Sequence, residues 1–254
     1  MKITFLGTGT SQGVPVIACN CVVCKSLDYR DKRLRVSIHI QIGATSIIID
    51  AGPDFRQQIL RENIQTLDAI LITHEHKDHT AGLDDIRAFN FKQEMAMPIY
   101  AAKPVQAQLK REFEYVFREH KYPGIPQMNL IEIVENEAFK IGQTMIEPIL
   151  VMHHKLKVFG FRIGDFTYIT DANFISEPEI DKIKGSKVLV LNALQKTPHI
   201  SHFTLAEAIE MAEKIGAEKT YFTHISHKLG LHAQVEKELP PKMYLAWDGL
   251  KISL

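Results

Sequence analysis

Residues 73–79 read Thr73-His74-Glu75-His76-Lys77-Asp78-His79, directly after the apolar run Ala69–Ile72. The apolar run predicts a buried strand, and a helix is predicted after the motif, from about Ala81 to Phe89. In a turn at the end of a strand the side chains fan out from one point. His74 and His76 can therefore hold one metal ion, while Asp78 and His79 point to a second. This concentration of nitrogen and carboxylate ligands predicts a metal site.

The cysteines form a second cluster, because all three lie within six residues at Cys19, Cys21 and Cys24. An odd number of closely spaced cysteines argues against a disulfide framework. Three thiolates in one loop can bind a soft cation and leave a fourth position for a distant residue, as in a Cys3His zinc site. Free thiols in a reducing compartment are the alternative interpretation.

The remaining sequence predicts a mixed α+β fold. Strands are expected at Lys2–Leu6, Thr45–Ile49, Thr144–Val151 and Val188–Leu191, and helices are interleaved with them. The second half repeats the pattern of the first. We therefore predict one domain over residues 1–254, built of two similar halves, with two mixed sheets packed face to face and helices outside. Glu119–Leu130 shows no periodicity and is expected to be a surface loop or a lid.

Composition narrows the functional class. The chain has 254 residues, 30 Lys+Arg against 30 Asp+Glu, and a 45% hydrophobic share, which is ordinary for a globular protein. A net charge of zero argues against broad nucleic-acid binding, so no nucleic-acid partner is expected. The sequence shows neither a membrane-spanning run nor a signal peptide, which favours a cytoplasmic protein without a membrane partner.

The motif His74-x-His76-x-Asp78-His79 resembles the H-x-H-x-D-H hallmark of the metallo-β-lactamase superfamily, and the resemblance extends over essentially the whole chain. It implies the αββα sandwich of that superfamily. It also implies further ligands at Asp171, which would bridge two metals, and at His224. The implied ligand sets are His74, His76, His154 and Asp171 for one metal, and Asp78, His79, Asp171 and His224 for the other.

The choice between His153 and His154 rests on the same resemblance. The stretch His154-Lys155-Leu156-Lys157-Val158-Phe159-Gly160-Phe161 is similar to the family segment H-S-K-L-x-F-G-Y. This alignment makes His154 the ligand and leaves His153 beside the ligands or in solvent.

The cysteine loop and Thr223-His224-Ile225-Ser226-His227 together resemble the PhnP-type phosphoribosyl cyclic phosphodiesterases. In that subfamily three cysteines and a histidine bind a structural zinc, which implies Cys19, Cys21, Cys24 and His227 as its ligands. The resemblance also implies that His202, 22 residues before His224, acts near the scissile phosphate. A helix-entry role beside Thr204 is the alternative for His202. The catalytic residues predicted in this way are His202 and Asp78.

The predicted function is a dinuclear-metal phosphodiesterase. Its substrate would be a small cyclic phosphate, 5-phosphoribosyl 1,2-cyclic phosphate or a similar diester, and a metal-bound hydroxide would attack phosphorus. The predicted cofactors are two divalent ions, manganese or zinc, and one structural zinc. The alternatives are an RNase that processes tRNA 3′ ends, a thioester or lactone hydrolase, and a non-catalytic metal-binding protein. Related proteins are often dimers, so a homodimer is a further expectation. Arg87, Lys155, Lys157 and Lys228 are candidates for contacting substrate phosphate, with a solvated surface role as the alternative.

Overall fold

The computed structural model describes residues 1–119 and 122–254. The strands, in chain order, are β1 (Lys2–Gly7), β2 (Ser37–Ile42), β3 (Thr45–Ile49), β4 (Ala69–Leu71), β5 (Met97–Ala101), β6 (Met128–Glu132), β7 (Phe139–Ile141), β8 (Thr144–His153), β9 (Leu156–Ile163), β10 (Phe166–Tyr168), β11 (Phe174–Ile175), β12 (Val188–Asn192), β13 (Lys219–Thr223), β14 (Met243–Leu245) and β15 (Lys251–Ser253). The α-helices are α1 (Phe55–Glu62), α2 (Lys77–Thr80), α3 (Arg87–Gln93), α4 (Lys103–Glu112), α5 (Glu114–Phe117), α6 (Glu177–Ile183), α7 (Leu205–Ile215) and α8 (His232–Val235). Short 3-10 helices cover Tyr29–Asp31, Leu83–Ile86 and Glu236–Glu238.

The strands form two mixed sheets. The first has the order β15-β1-β2-β3-β4-β5-β6, and the second has the order β11-β8-β9-β10-β12-β13-β14, with β7 paired to β8. The last strand, β15, thus returns to the first sheet and pairs with β1 in antiparallel fashion. Neighbours β3, β4 and β5 are parallel, as are β10, β12, β13 and β14, so several strands of each sheet end at the same edge.

Alternating side chains explain why both faces of each sheet are buried. In β3, Ile47 and Ile49 belong to the core between the sheets, whereas Ile48 packs with Phe55 of α1 on the outer face. In β12, Val190 faces the other sheet and Leu189 packs toward α6 and α7. Continuous apolar runs of this kind are typical of strands that are covered on both sides. The helix, sheet, sheet, helix layering confirms the predicted fold class.

Some element predictions differ from the structure. In place of one helix over residues 81–89, the structure has a 3-10 turn over Leu83–Ile86 and then α3, and a separate short helix, α2, starts within the histidine motif itself. Of the predicted loop Glu119–Leu130, residues 128–130 lie in β6, which pairs with β5, and residues 120–121 lie outside the described residues. In the described parts of the chain, no helix combines the length and the hydrophobicity that a membrane crossing requires.

Candidate active site

Strand ends of both sheets meet at one edge of the sandwich. Asp50 follows β3 and Thr73 follows β4, and because these strands are parallel neighbours the two residues lie side by side. The Thr73 backbone N–H donates to Asp50 Oδ1 over 2.9 Å, and Thr73 Oγ1 donates to Asp50 Oδ2 over 2.9 Å. The Phe159 N–H donates to the Thr73 carbonyl over 3.1 Å, which links the second sheet to this edge.

Close backbone packing fixes the turn that carries the histidine motif. A Cβ atom at Gly52 would lie 1.9 Å from the Asp78 carbonyl oxygen, so only glycine fits at this position. The Ala51 N–H donates to the His79 carbonyl over 2.8 Å. The segment after β3 therefore supports the first turn of α2, which presents Asp78 and His79.

Three imidazoles form the first ligand group. His74 Nε2 lies 3.0 Å from His76 Nδ1, and ring nitrogens of His74, His76 and His153 all lie within 4.8 Å of one another. His74 is fully buried and His153 is 9% exposed. Two ring nitrogens at 3.0 Å can share a proton or can both face one cation. The described residues thus bring together two predicted ligands and one histidine that was not predicted.

The second group contains two carboxylates and two imidazoles. His79 Nε2 lies 3.2 Å from Asp78 Oδ2 and 3.3 Å from Asp171 Oδ2, and His224 Nε2 lies 3.2 Å from Asp171 Oδ1. Asp171 also lies within 4.8 Å of the ring nitrogens of His74 and His79. Its two oxygens thus face different histidines, and Asp171 lies where the two groups meet.

The structure corrects the choice of His154. Strand β8 extends to His153, two residues beyond the predicted end, and His153 pairs with Leu156 across a two-residue turn. His154 occupies the first position of that turn with φ 56°, is exposed, and is absent from every potential ligand group of the described residues. His153, the neighbour that the sequence analysis set aside, joins the first group.

Paired substitutions test this correction. We expect His153→Asn to lower metal affinity and activity by about 100-fold or more. Loss of a residue that only hydrogen-bonds to a metal ligand already costs about 10- to 100-fold, and His153 would be a ligand itself. His154→Asn should leave both within about twofold, because exposed substitutions change stability by only about 0.5 kcal/mol and asparagine tolerates positive φ. Elemental analysis and initial rates of both variants measure the difference. Loss of metal from the His154 variant alone would restore the original assignment.

Asp50 is a site residue that the sequence analysis missed. Its Oδ2 lies 2.7 Å from His79 Nδ1, and both side chains are fully buried. A carboxylate that accepts from one ring nitrogen fixes the tautomer and leaves the other nitrogen free to bind a metal. The available signal was an aspartate directly after a predicted strand, at the same edge as the histidine motif.

Electrostatics and unpartnered atoms indicate a site for cations. Burial alone would raise the pKa of Asp171, but His224 and His79 lower that pKa well below its usual range. Burial would lower the pKa of His79, yet the carboxylates of Asp50, Asp171 and Asp78 raise it well above its usual value. Among the described residues, His79 Nε2 and both ring nitrogens of His224 are buried without a hydrogen-bond partner. Such groups cost about 1–3 kcal/mol each unless something binds them, so the donor set fits divalent cations.

His202 lies beside these groups. Its ring is 4.8 Å from that of His224 and 4.5 Å from that of His153, and its Nδ1 is 3.9 Å from Asp171 Oδ1. The His153 Nδ1–H donates to the Ser201 carbonyl over 2.7 Å, which holds the His202 loop against the first group. Burial, reinforced by the neighbouring His224, lowers the pKa of His202 to about 2, so the imidazole is neutral and offers one N–H donor at neutral pH.

The cysteine cluster forms a separate group. His227 Nδ1 lies 3.3 Å from Cys19 Sγ, 3.4 Å from Cys21 Sγ and 3.5 Å from Cys24 Sγ. The Zn–S and Zn–N bond lengths place a thiolate sulfur and an imidazole nitrogen of one tetrahedral zinc about 3.5 Å apart. None of the three cysteines forms a disulfide. The spacing and the donor types therefore fit one zinc ion.

Comparisons with known proteins agree with this geometry. Residues 45–225 match the family model described as the beta-lactamase superfamily domain. A solved structure described as a new diphosphatase from the PhnP family is 39% identical with a TM-score of 0.93, and the match covers 100% of this chain and 97% of that chain. The ribonuclease Z of Pyrobaculum islandicum is 23% identical, with 89% of this chain and 87% of that protein covered.

An octanoyltransferase of Porphyromonas gingivalis is 40% identical over 99% of this chain, but the match covers 51% of that protein. This chain thus spans about half the length of that curated relative. The family model covers more than half of this chain, and the match to the PhnP-family relative covers all of it. This protein therefore belongs to the beta-lactamase superfamily, and within it to the PhnP family, and it has the metallo-β-lactamase fold.

Proposed function

We propose that this protein is a dinuclear-metal phosphodiesterase that hydrolyses a small phosphorylated substrate, with 5-phosphoribosyl 1,2-cyclic phosphate or a similar diester as the leading candidate. The observation that carries the proposal is the position of Asp171 beside His202. Its carboxylate lies within 4.8 Å of ring nitrogens of His74 and His153 in the first group, and 3.3 Å from His79 Nε2 in the second. The match to a PhnP-family diphosphatase supports chemistry at phosphorus.

The residues that would hold the two ions follow from the two groups. One set is His74, His76, His153 and Asp171, and the other is Asp78, His79, Asp171 and His224. Two divalent cations bound there would activate water and polarise phosphoryl oxygens. Zinc, manganese and iron all bind to such donor sets, so which metal binds would depend on metal availability in the cell as well as on the geometry of the site. Asp50 would orient His79 by accepting its Nδ1–H.

His202 would stabilise charge at the reacting phosphate. Its imidazole is neutral, so it would donate one N–H to a phosphoryl or leaving-group oxygen rather than supply a proton as an imidazolium. A donor that is already in place as charge develops contributes most in a site that excludes water. The stacking of His202 on His224 and the bond from His153 to Ser201 hold the ring in position.

The cysteine cluster would bind a structural zinc. The Thr10 N–H donates to the Ile225 carbonyl over 3.1 Å, and the Ile225 N–H donates to the Thr8 carbonyl over 2.8 Å. Ile225 lies between His224 of the second group and His227 of the cysteine cluster. A zinc there would secure the cysteine loop to the segment that presents His224, and so link metal binding to the order of the active site.

Removing one thiolate tests the structural zinc. We expect Cys24→Ser to lose about one zinc per chain and to lower the melting temperature, since metal binding and folding are coupled at such sites. Val22→Ser is the matched control, because Val22 is 68% exposed on the same loop and should leave the zinc content unchanged. Elemental analysis and thermal unfolding report both effects. Full zinc content in the Cys24 variant would refute the site.

A second candidate is hydrolysis of a diphosphate. It is favoured by the PhnP-family diphosphatase, which aligns with this chain end to end. RNA processing is favoured by the ribonuclease Z relatives. All three reactions place a phosphoryl group at the same metal groups, so they differ in the substrate contacts and not in the chemistry at phosphorus.

A substrate panel separates these reactions. Metal-loaded protein is incubated with 5-phosphoribosyl 1,2-cyclic phosphate, a diphosphate diester, a tRNA precursor with a 3′ trailer, and an octanoyl thioester. We expect turnover of the small phosphorylated substrates, with the cyclic phosphate fastest and the RNA intact. Asp171→Ala protein run in parallel shows which activity belongs to the site. Cleavage of the RNA or the thioester alone would refute the proposal.

A further inference from the structure

Two cavities of different charge flank the candidate active site. A cavity of about 360 Å³ is lined by Glu75, which lies between His74 and His76 in the sequence, by Glu132 and Glu135, and by two lysines, Lys103 and Lys157, so carboxylates outnumber lysines there. A second cavity of about 240 Å³ lies between His202 and His227. No aspartate or glutamate is among the described residues that line the second cavity, and Lys228 lines it. We call it the Lys228 cavity. A negatively charged group meets repulsion in the first cavity and attraction in the second.

The two cavities differ in their balance of charge, because an ion pair neutralises one of the two lysines of the larger cavity while two of its carboxylates, Glu75 and Glu132, remain. Lys157 of the larger cavity forms a 2.7 Å ion pair with Glu135, which neutralises it. In the described part of the chain Lys228 forms no such ion pair. Its positive charge is therefore available to a ligand, and it lies one residue after His227 of the cysteine cluster.

Backbone hydrogen bonds fix the walls of the Lys228 cavity. On one side, the Gly13 N–H donates to the Thr10 carbonyl over 2.8 Å, which closes the turn that presents Ser11. On the other side, the Ser226 N–H donates to the Leu194 carbonyl over 3.0 Å, and the Lys228 N–H donates to Ser226 Oγ over 3.2 Å. A site whose backbone is already ordered loses little entropy when it binds a ligand.

We propose that the Lys228 cavity binds a second phosphate group of the substrate, with Lys228 as the cationic partner and Ser11 as a further residue of its lining. The inference rests on the proposed function, because it assumes that the reacting phosphate lies at the metal groups beside His202. It applies to both candidate substrates, since a phosphorylated cyclic phosphate and a diphosphate each carry a second phosphate. The cavity would thus select substrates by an anionic group that takes no part in the reaction.

Two inhibitors that differ by one phosphate test the proposal. Ribose 1-phosphate and ribose 1,5-bisphosphate are compared as inhibitors of the hydrolysis of bis(p-nitrophenyl) phosphate by metal-loaded protein. A hydrogen bond to a charged group predicts that the bisphosphate inhibits roughly 10- to 100-fold more strongly than the monophosphate. Lys228→Ala should bring the ratio of the two inhibition constants to within about threefold of one, and Lys228→Arg should restore most of it.

Lys155→Ala is the matched control, because Lys155 is exposed on the turn between β8 and β9 and does not line the Lys228 cavity. It should keep the wild-type ratio. Ser11→Asp introduces a negative charge into the lining of the same cavity, without a change next to His227, and should also bring the ratio of the two inhibition constants close to one. Elemental analysis confirms that each variant keeps its zinc.

A ratio near one in the wild type, or an unchanged ratio in Lys228→Ala, would overturn the proposal. If the aryl diester is not hydrolysed, the proposed function fails at that step. Calorimetric titration of the same two ligands into the metal-loaded protein then measures the same ratio. The failure of the cavity proposal and the failure of the phosphodiesterase proposal are therefore separate results.

Discussion

Replacing Asp171 by alanine is expected to lower the rate of phosphodiester hydrolysis by roughly 10³-fold or more. The Asp171 carboxylate is 3% exposed and lies 3.3 Å from His79 Nε2 and 3.2 Å from His224 Nε2 in the second group. Among the described residues it is also the carboxylate that lies within 4.8 Å of ring nitrogens of the first group, those of His74 and His153. Metal ions contribute several kcal/mol of charge stabilisation, and about 1.4 kcal/mol corresponds to a factor of ten in rate. The variant should also lose metal from both groups and keep the structural zinc.

Asp165→Ala is the control for this experiment. Asp165 is half-exposed and pairs with Lys187 over 2.7 Å. It directly precedes strand β10, whereas Asp171 follows the end of that strand. It should retain full metal content and a rate within about twofold, as expected for an exposed pair worth less than about 1 kcal/mol. Wild-type activity in Asp171→Ala with both metals present would contradict the bridging role.

His202→Ala is expected to lower the rate by about 10²- to 10³-fold, as the removal of one donor to a developing negative charge does. The ring packs against His224 and His153 and lies 3.9 Å from Asp171, and its ring nitrogen lies within 4.8 Å of ligand atoms of His153 and Asp171. Both proposed ligand sets are complete without His202, so the variant should keep its metals. The loss should be smaller for a p-nitrophenyl leaving group than for a sugar alkoxide, because the better leaving group needs less stabilisation.

This dependence on the leaving group separates catalysis from structure. If His202 only orders the loop before Thr204, both substrates would lose rate equally, and thermal stability would fall with them. His154→Asn provides the control for loss of an exposed histidine. Equal losses for the two leaving groups with metals retained would remove His202 from direct contact with the substrate.

The sequence was sufficient for the parts of the site that are local. His74, His76, Asp78 and His79 lie on one turn, so their spacing alone predicts that they converge. The fold class was also predictable, because buried strands such as β3 and β12 contain continuous apolar runs, Ile47–Ile49 and Val188–Leu191, and the helices between them are amphipathic.

Parts that depend on pairing register were not predictable. The choice between His153 and His154 depends on where β8 ends, and adjacent residues of a strand face opposite sides. Strands β7 and β11 were missed because they have three and two residues and pair only at the margin of the second sheet. The role of Asp50 in the site could be predicted only by knowing that β3 pairs with β4 in parallel, and no local sequence pattern shows that pairing. The single-domain organisation of residues 1–254 stays a prediction.

The most direct test of the dinuclear phosphodiesterase is phosphorus NMR of 5-phosphoribosyl 1,2-cyclic phosphate incubated with metal-loaded protein in ¹⁸O-water. Attack of water on phosphorus predicts a new monoester signal whose isotope shift shows one ¹⁸O on the product phosphate. An unchanged cyclic phosphate with both ligand groups filled, or ¹⁸O on the sugar carbon instead of on phosphorus, would contradict the account.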